Sequence, residues 1–231
     1  MGIIKLSKRL EEVTNFILPN RAVADIGSDH AYLPIYAIQN ELVNHAIAGE
    51  VVEGPYRHAV ETVEQYNLQE VVDVRFGDGL DVLEPNEAIG TITICGMGGL
   101  LISDIIAAGK ENNRLSKEAR LVLQPNNNEN NLRAFLVQNG YEIIDESIIE
   151  DNLKIYEIIV AEQTDNNLSY SDADLLFGPK LLEYKNTTFK KKWQKELNKT
   201  KSILNNLKNT DNNEKIEVLE KYIEQIEKVI V

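Results

Sequence analysis

Five short apolar runs, each followed by a stretch of helical character, constrain this chain more than any other feature. The runs "AVADIG" (22–27), "HAIAGEV" (45–51), the start of "VVDVRFGDG" (71–79), "GTITICGMGG" (90–99) and "ARLVLQP" (119–125) each read as a buried strand. Helices are expected over 31–39, from Pro55 to Tyr66, from Leu100 to Ala108, and from Asn130 to Asn139, where Gly140 closes the last one. Repeated strand–helix units force parallel strands joined by right-handed crossovers. Ahead of them, Leu6, Leu10, Val13 and Ile17 fall on one face of a helix that Pro19 and Asn20 stop. After them, "YEIIDESIIED" and "KIYEIIVAE" meet at the turn residues Asp151 and Asn152, which predicts an antiparallel pair.

The chain changes character after Glu162. A polar linker, "QTDNNLSYSD", leads into two long helices. The second carries Ile216, Leu219, Ile223, Ile226 and Ile230 at alternating spacings of three and four, a coiled-coil seam. The first carries Leu182, Phe189, Trp193, Leu197 and Leu204, and "NTDNN" (209–213) separates the two. An antiparallel helical hairpin is the simplest arrangement, packed on its own chain or on another. The expected division is therefore residues 1–162 as one domain and 163–231 as a helical appendage. Charge follows the same line. Residues 1–162 hold 12 Lys and Arg against 26 Asp and Glu, whereas residues 180–201 hold eight Lys against two Glu. That local basic strip fits either a phosphate contact on an acidic protein or a solvated helix face.

Several classes are set aside. No apolar run reaches the ~20 residues of a membrane span, and "MGIIKLSKRLEEV" has no signal-peptide core. A single Cys excludes an intramolecular disulfide and fits a reducing interior. His45 and His58 have no partners at metal spacing, so no metal site is expected. The expectation is a cytoplasmic protein that acts as a monomer.

In an open α/β sheet, ligands bind at the carboxyl ends of the strands. Here those ends read Asp25-Ile26-Gly27, Gly49-Glu50, Gly77-Asp78-Gly79 and Cys95-Gly96-Met97-Gly98-Gly99. Each offers glycines, an acid or both. S-adenosylmethionine suits this set: Glu50 can accept from both ribose hydroxyls, Asp78 can accept the adenine N–H, and Gly27 admits the amino-acid end close to Asp25. A nicotinamide dinucleotide also wants an acid after the second strand, but it needs glycine amides for its pyrophosphate. Ser28, Asp29, His30 and Ala31 follow Gly27 instead. The expected fold class is thus α/β: a class I methyltransferase Rossmann-like sheet, parallel strands plus an antiparallel C-terminal hairpin, with an α-helical coiled-coil appendage.

The segments "LSKRLEEV", "ADIGSDHAYLP", "AGEVVEGPY", "ITICGMGG" and "LVLQPN", in this order, resemble the bacterial TrmK family. The resemblance runs from about Leu6 to Glu162 and continues as a helical tail. It implies an enzyme that transfers a methyl group from S-adenosylmethionine to N1 of adenine 22 in tRNA. It also implies a cofactor set of Arg9, Asp25, Gly27, Ser28, His30, Glu50, Val51, Gly77, Asp78, Gly79, Cys95, Gly96, Met97 and Gly98. The absence of an Asn/Asp-Pro-Pro-aromatic tetrad after the fourth strand agrees with it, because a ring nitrogen has an in-plane lone pair and needs alignment more than a strong base.

Methylation of N1 spreads positive charge to N6, and a carboxylate accepting N6–H would stabilise that state. Asp29 is the candidate, with a helix N-cap as the alternative. Tyr32 could stack on the adenine or join the core. Asn126 has an amide suited to an adenine edge or forms a turn. His30 could bond the base or the cofactor, or act locally. Arg9 faces the cofactor's amino-acid end or the tRNA. Cys95 reads as a pocket-lining residue rather than a nucleophile. Lys190, Lys191, Lys192, Lys195 and Lys199 are expected to contact the tRNA backbone. The rival readings are a methyltransferase with another nucleobase or small-molecule substrate, and a cofactor-binding module that recruits a partner through its coiled coil.

Overall fold

A computed structural model of the chain describes residues 2–207 and 212–230. The five apolar runs form β1 (Val23–Ile26), β2 (Ala46–Glu50), β3 (Val72–Phe76), β4 (Thr91–Met97) and β5 (Arg120–Pro125). These pair in parallel, and β7 (Lys154–Gln163) joins β5 antiparallel with β6 (Tyr141–Asp151) at the edge. The order is β3-β2-β1-β4-β5-β7-β6. The strand order reverses between β1 and β4, which opens a crevice at their carboxyl ends.

Alternation of side chains along the strands divides the core in two. Ala24, Ile26, Ile47, Ile92, Ile94, Leu121 and Leu123 face α4 (Gly99–Glu111) and α5 (Glu129–Gln138). Val23, Ala46, Ala48 and Val122 face the opposite way, toward α1 (Lys8–Thr14), α2 (Tyr32–Gln39) and α3 (Glu53–Gln65). Full burial of each such aliphatic side chain is worth about 1.5–3 kcal/mol, so a sheet covered on both faces holds its strand ends rigidly. α1 is shorter than its apolar spacing implies. After Thr14 the chain tightens, with Phe16 and Ile17 donating to Val13 and Thr14, yet Ile17 is still buried.

The tail departs from two long helices. It forms α6 (Asp172–Phe177), α7 (Pro179–Tyr184), α8 (Thr187–Leu207) and α9 (Asn213–Ile230), so Leu182 belongs to α7 rather than to the long helix. Gly178, at φ +90°, separates the first two, and Pro179 starts the next without an N–H. Lys185 ends α7 in a left-handed conformation, and Asn186 Oδ1 accepts from Phe189 N at 2.9 Å. Of the expected separator 209–213, residues 209–211 lie outside the described residues.

Phe189, Trp193, Leu197 and Leu204 of α8 pack with Ile223 and Ile226 of α9. The same cluster takes in Ile148 of β6, Phe177 and Leu181, so the hairpin docks on its own sheet. A buried ionic network fixes that docking. Arg133 of α5, with a fully buried side chain, donates to Glu146 at 2.6 Å and to Glu157 at 2.5 Å. Glu157 also accepts Lys192 Nζ of α8 at 2.7 Å, and Lys192 reaches Glu129 at 2.8 Å. Glu146 Oε2 accepts the Lys180 N–H at 2.9 Å at the start of α7. A side chain at Gly178 would place its Cβ 2.7 Å from Glu146 Oε2 and 2.8 Å from Arg133 Nη2.

Removing one member of a buried ion pair leaves the others charged and uncompensated, at a cost of about 3–5 kcal/mol. Arg133→Ala is therefore expected to lower the unfolding free energy by about that amount in urea titrations. A loss below about 1 kcal/mol would show that the network does not hold the tail.

Candidate active site

Four strand ends converge on one crevice. At the first, Asp25 is buried and accepts from Thr93 Oγ1 at 2.6 Å. Burial pushes its carboxyl pKa above the usual range, against the lowering influence of the Ser28 and Thr93 hydroxyls and the Arg9 charge. Gly27 turns the chain at φ +72°, and a Cβ there would collide with the Met97 methyl. The Gly27 and Ser28 N–H groups both donate to the Gly49 carbonyl, at 2.9 and 3.0 Å, which ties the β1 loop to the end of β2.

The loop beyond is strained. His30 and Ala31 are consecutive left-handed residues, at φ 57° and 56°, a conformation that costs a non-glycine residue about 1–3 kcal/mol. Three side chains around it, Asp29, His30 and Tyr32, reach solvent. His30 stacks on Tyr32 with centroids 5.1 Å apart and 15° between planes, and lies 5.4 Å from the His58 ring of α3. Asp29 Oδ1 sits 3.3 Å from His30 Nε2 with 84% of its side chain exposed. The helix-cap alternative for Asp29 is corrected: α2 starts at Tyr32 behind Ala31 and has no side-chain cap.

At the second and third ends, Gly27, Glu50, Val51, Gly77, Asp78, Gly79 and Met97 line a cavity of about 200 Å³. Glu50 is only 8% exposed. Burial raises its pKa, while the N–H groups of Val51 and Val52 oppose the shift. Asp78 is exposed and makes no side-chain hydrogen bond among the described residues. Leu101 and Ile105 of α4 close the far wall.

At the fourth end, β4 bulges between Cys95 and Met97. Gln124, completely buried, organises this corner. Its Oε1 accepts from Arg9 Nη1 and from Gly96 N, and its Nε2 donates to Pro125 O at 2.8 Å and Asn126 Oδ1 at 3.3 Å. Arg9 also lies over the Tyr156 ring, 5.4 Å from its centroid. Asn126 Nδ2 donates to Gly96 O at 2.7 Å, so its amide braces the bulge while the residue stays exposed. Gly98 leaves room for Asn127, whose Oδ1 a Cβ there would meet at 3.1 Å. Burial, reinforced by Asp25, pushes the Cys95 thiol well above its ordinary pKa. A thiol with so little thiolate is a poor nucleophile.

Sequence reasoning missed Thr93, Gln124 and His58. Thr93 and Gln124 are polar residues inside apolar runs, and that was their signal; His58 had none beyond proximity to Pro55. Among the strip lysines, Lys192 is corrected: it is bound internally to Glu129 and Glu157 and is not available to a phosphate. Lys191 reaches Glu150 at 2.6 Å and Lys199 reaches Glu196 at 3.3 Å, both from exposed positions. Lys190 and Lys195 are exposed. Among the described residues, no group of three His, Cys, Asp or Glu is placed to hold a metal ion, and no helix is long and apolar enough to cross a membrane.

Residues 23–228 match the family model described as TrmK: tRNA (adenine(22)-N(1))-methyltransferase. The chain is 44% identical over its whole length to the tRNA (adenine(22)-N(1))-methyltransferase of Bacillus subtilis, covering 99% of that protein. The crystal structure of the B. subtilis M1A22 tRNA methyltransferase TrmK superposes with a TM-score of 0.91 at 42% identity, covering 99% of this chain and 100% of that one. A Streptococcus pneumoniae protein solved in complex with S-adenosyl-L-methionine superposes at 0.90 with 41% identity, over 98% of this chain and 100% of that one.

The raised pKa of Asp25 has a stability consequence. The native state binds this proton more tightly than the unfolded chain, so its contribution is present below the ordinary value of 3.8 and is lost as pH rises through the raised native value. Asp25→Asn cannot titrate. The stability difference, variant minus wild type, should grow in the variant's favour as pH rises across that window, measured by urea unfolding at stepped pH. A difference that stays constant with pH would contradict the shift.

Proposed function

The chain belongs to the tRNA (adenine(22)-N(1))-methyltransferase family, and from that premise we propose how its residues divide the work. The protein transfers a methyl group from S-adenosyl-L-methionine to N1 of adenine 22 in tRNA, giving 1-methyladenosine. The observation that carries the assignment of roles is the convergence of Gly27, Glu50, Asp78 and Met97 on one cavity at the strand-order reversal.

The donor set of that cavity fits the cofactor. Glu50 would accept from the two ribose hydroxyls, and Asp78, free of internal side-chain bonds, would accept the exocyclic N–H of the adenine. Val51, half exposed beside them, would cover the adenine face. Gly27 leaves the close approach that an amino-acid end needs; Asp25 and Ser28 would meet its ammonium and Arg9 its carboxylate. Gly77, Gly79, Cys95, Gly96 and Gly98 supply backbone and small walls, and His30 borders the amino-acid end. When bound, the cofactor supplies an electrophilic methyl on a sulfonium.

The rim carries the target base. Tyr32, pre-stacked on His30, offers a flat face for the adenine. Asn126, braced on Gly96, would hold the base edge, and its fixed position turns binding into alignment of N1. Asp29 would accept N6–H as positive charge develops on the ring. Its exposure before RNA arrives means that the incoming base, rather than the fold, desolvates this pair and strengthens it.

The strand-rich part, residues 1–162, carries the chemistry in this reading, and residues 163–231 carry RNA recognition. Lys190, Lys195 and Lys199, with Lys191 at the edge, would follow the tRNA backbone. The protein would act in the cytoplasm as a monomer, because the apolar seam of α9 is already covered by α8 and the sheet.

Primer extension on treated tRNA tests the whole reading, since N1 methylation blocks the pairing edge and stops the polymerase at nucleotide 22. Undiminished transfer to tRNA with guanine at that position would overturn it. Asp29→Asn is expected to lower kcat about 100-fold, the lower end of what loss of one electrostatic transition-state contact costs, with cofactor affinity unchanged. Lys190→Glu and Lys195→Glu should each weaken tRNA binding and reduce its salt slope by about one. Unchanged affinity would remove α8 from the RNA surface.

A further inference from the structure

A second, larger cleft lies beside the active site. It holds about 770 Å³ between the loop after β5, the tip of the β6–β7 hairpin and the α8–α9 helices. That size falls within the roughly 300–1,000 Å³ of sites that enclose a small-molecule-sized group. Its floor begins at Asn126 and Asn127, so it is continuous with the place assigned to the target base. Trp193 and Tyr222 form its walls, and Leu153 stands at its mouth with 87% of its surface exposed.

Two features point to an occupant. The first is an orphaned donor. Trp193 is 4% exposed, and its indole Nε1 is buried with no hydrogen-bond partner among the described residues. A buried donor without an acceptor carries its desolvation cost with nothing in return, and a small shift of the ring toward an acceptor in the cleft would relieve it. The second is the charge balance. Lys192 is matched by Glu129 and Glu157, and Lys199 by Glu196. Lys195 forms no ion pair among the described residues and gives the cleft one cation in excess. One phosphodiester has one negative charge.

We propose that this cleft receives the nucleotide adjacent to the target adenine in the tRNA strand. Tyr222 and Leu153 take its base, Lys195 takes its phosphate, and the Trp193 N–H meets an acceptor on the same nucleotide. The inference rests on the tRNA reading above. It adds that recognition extends one nucleotide beyond the methylated base, into the seam between sheet and tail. The seam is held open in this shape by the Arg133–Glu157–Lys192 network, so the pocket exists before RNA binds.

Trp193 is the only tryptophan, so emission excited at the red edge, where tyrosine does not absorb, reports on this cleft. Substrate tRNA should perturb that emission. Two tRNAs made abasic at the positions before and after adenine 22 supply the decisive comparison on the unaltered protein. One of them should fail to perturb Trp193 and raise KM about tenfold, in line with loss of one base–aromatic stack. Tyr222→Leu and Lys195→Gln should raise KM for intact tRNA similarly, with cofactor affinity unchanged. If both abasic tRNAs perturb Trp193 and are methylated as well as the intact one, the cleft does not hold a neighbouring nucleotide. In that outcome a primer-extension stop at nucleotide 22 would still support the parent reading, so the two failures are distinguishable. Perturbation by free nucleotides but not by tRNA would likewise overturn the proposal and identify a small-molecule site.

Discussion

Arg133 is a guanidinium without solvent, and the relation between the sheet and the tail depends on it. Its two carboxylate partners respond differently. Burial pushes Glu146 up despite Arg133, whereas at Glu157 burial is outweighed by Arg133 and Lys192 together, and its pKa is held down. Such a hub is weak evidence for stability, since a well-packed apolar replacement often does as well. What it supplies is geometry. Arg133 fixes α5 to β6 and β7, Glu146 caps the start of α7, and Glu157 with Glu129 fixes α8 by Lys192. An apolar contact could slide by a turn of helix; this set of hydrogen bonds could not. The seam beside Asn126 inherits that precision.

The crevice at the strand ends is built on the opposite principle. Its carboxylates are held without strong cationic partners. Asp25 has a threonine hydroxyl and a neighbouring arginine that is bound elsewhere, Glu50 has backbone N–H groups nearby, and Asp78 has no side-chain hydrogen bond among the described residues. Burial raises the first two; Glu50 and Asp78 line the cavity, and Asp25 lies buried behind Gly27 at the end of the same strand. Groups in that condition are suited to a ligand that brings hydroxyls, an ammonium and a positively charged sulfur. The strained His30–Ala31 pair sets the local path of the chain that carries Asp29 and the His30–Tyr32 stack.

The parallel sheet was legible because its signals are local. Strand runs, turn glycines and strand-end acids lie in sequence order, and a parallel sheet brings all its carboxyl ends to one edge, so a linear reading projects directly onto the site. The tail was less legible for a physical reason. Its apolar spacing is continuous from Leu182 to Leu204, and periodicity alone does not show that Gly178-Pro179 and Lys185-Asn186 cut the chain into separate helices. Lys192 illustrates the limit of composition. Within three consecutive lysines, only helical phase distinguishes it: it lies three residues after buried Phe189 and one before Trp193, on the flank that turns toward the sheet. Gln124 stood out only as a polar residue in an apolar run; its role was hidden, because its four hydrogen bonds join α1, β4 and β5, elements far apart in sequence.

The distribution of charge also constrains how an acidic enzyme can approach RNA. Asp25, Asp29, Glu50 and Asp78 make the crevice hostile to phosphate, and within a Debye length of about 8 Å that repulsion is not screened away. On α8, Lys190 and Lys195 form no ion pair among the described residues, and both stand outside the crevice. A strand lying across the crevice mouth would bring its phosphates against the acids. A strand that follows α8 and turns only a base inward keeps its charge on the lysines and delivers to the crevice a neutral ring that becomes cationic on methylation. In the proposed arrangement the acids would act on the reacting base and not on the backbone. The charge pattern proposed to bind the cofactor would therefore favour extrusion of the adenine, and would make the cleft between crevice and helix the natural path for the nucleotide next to it.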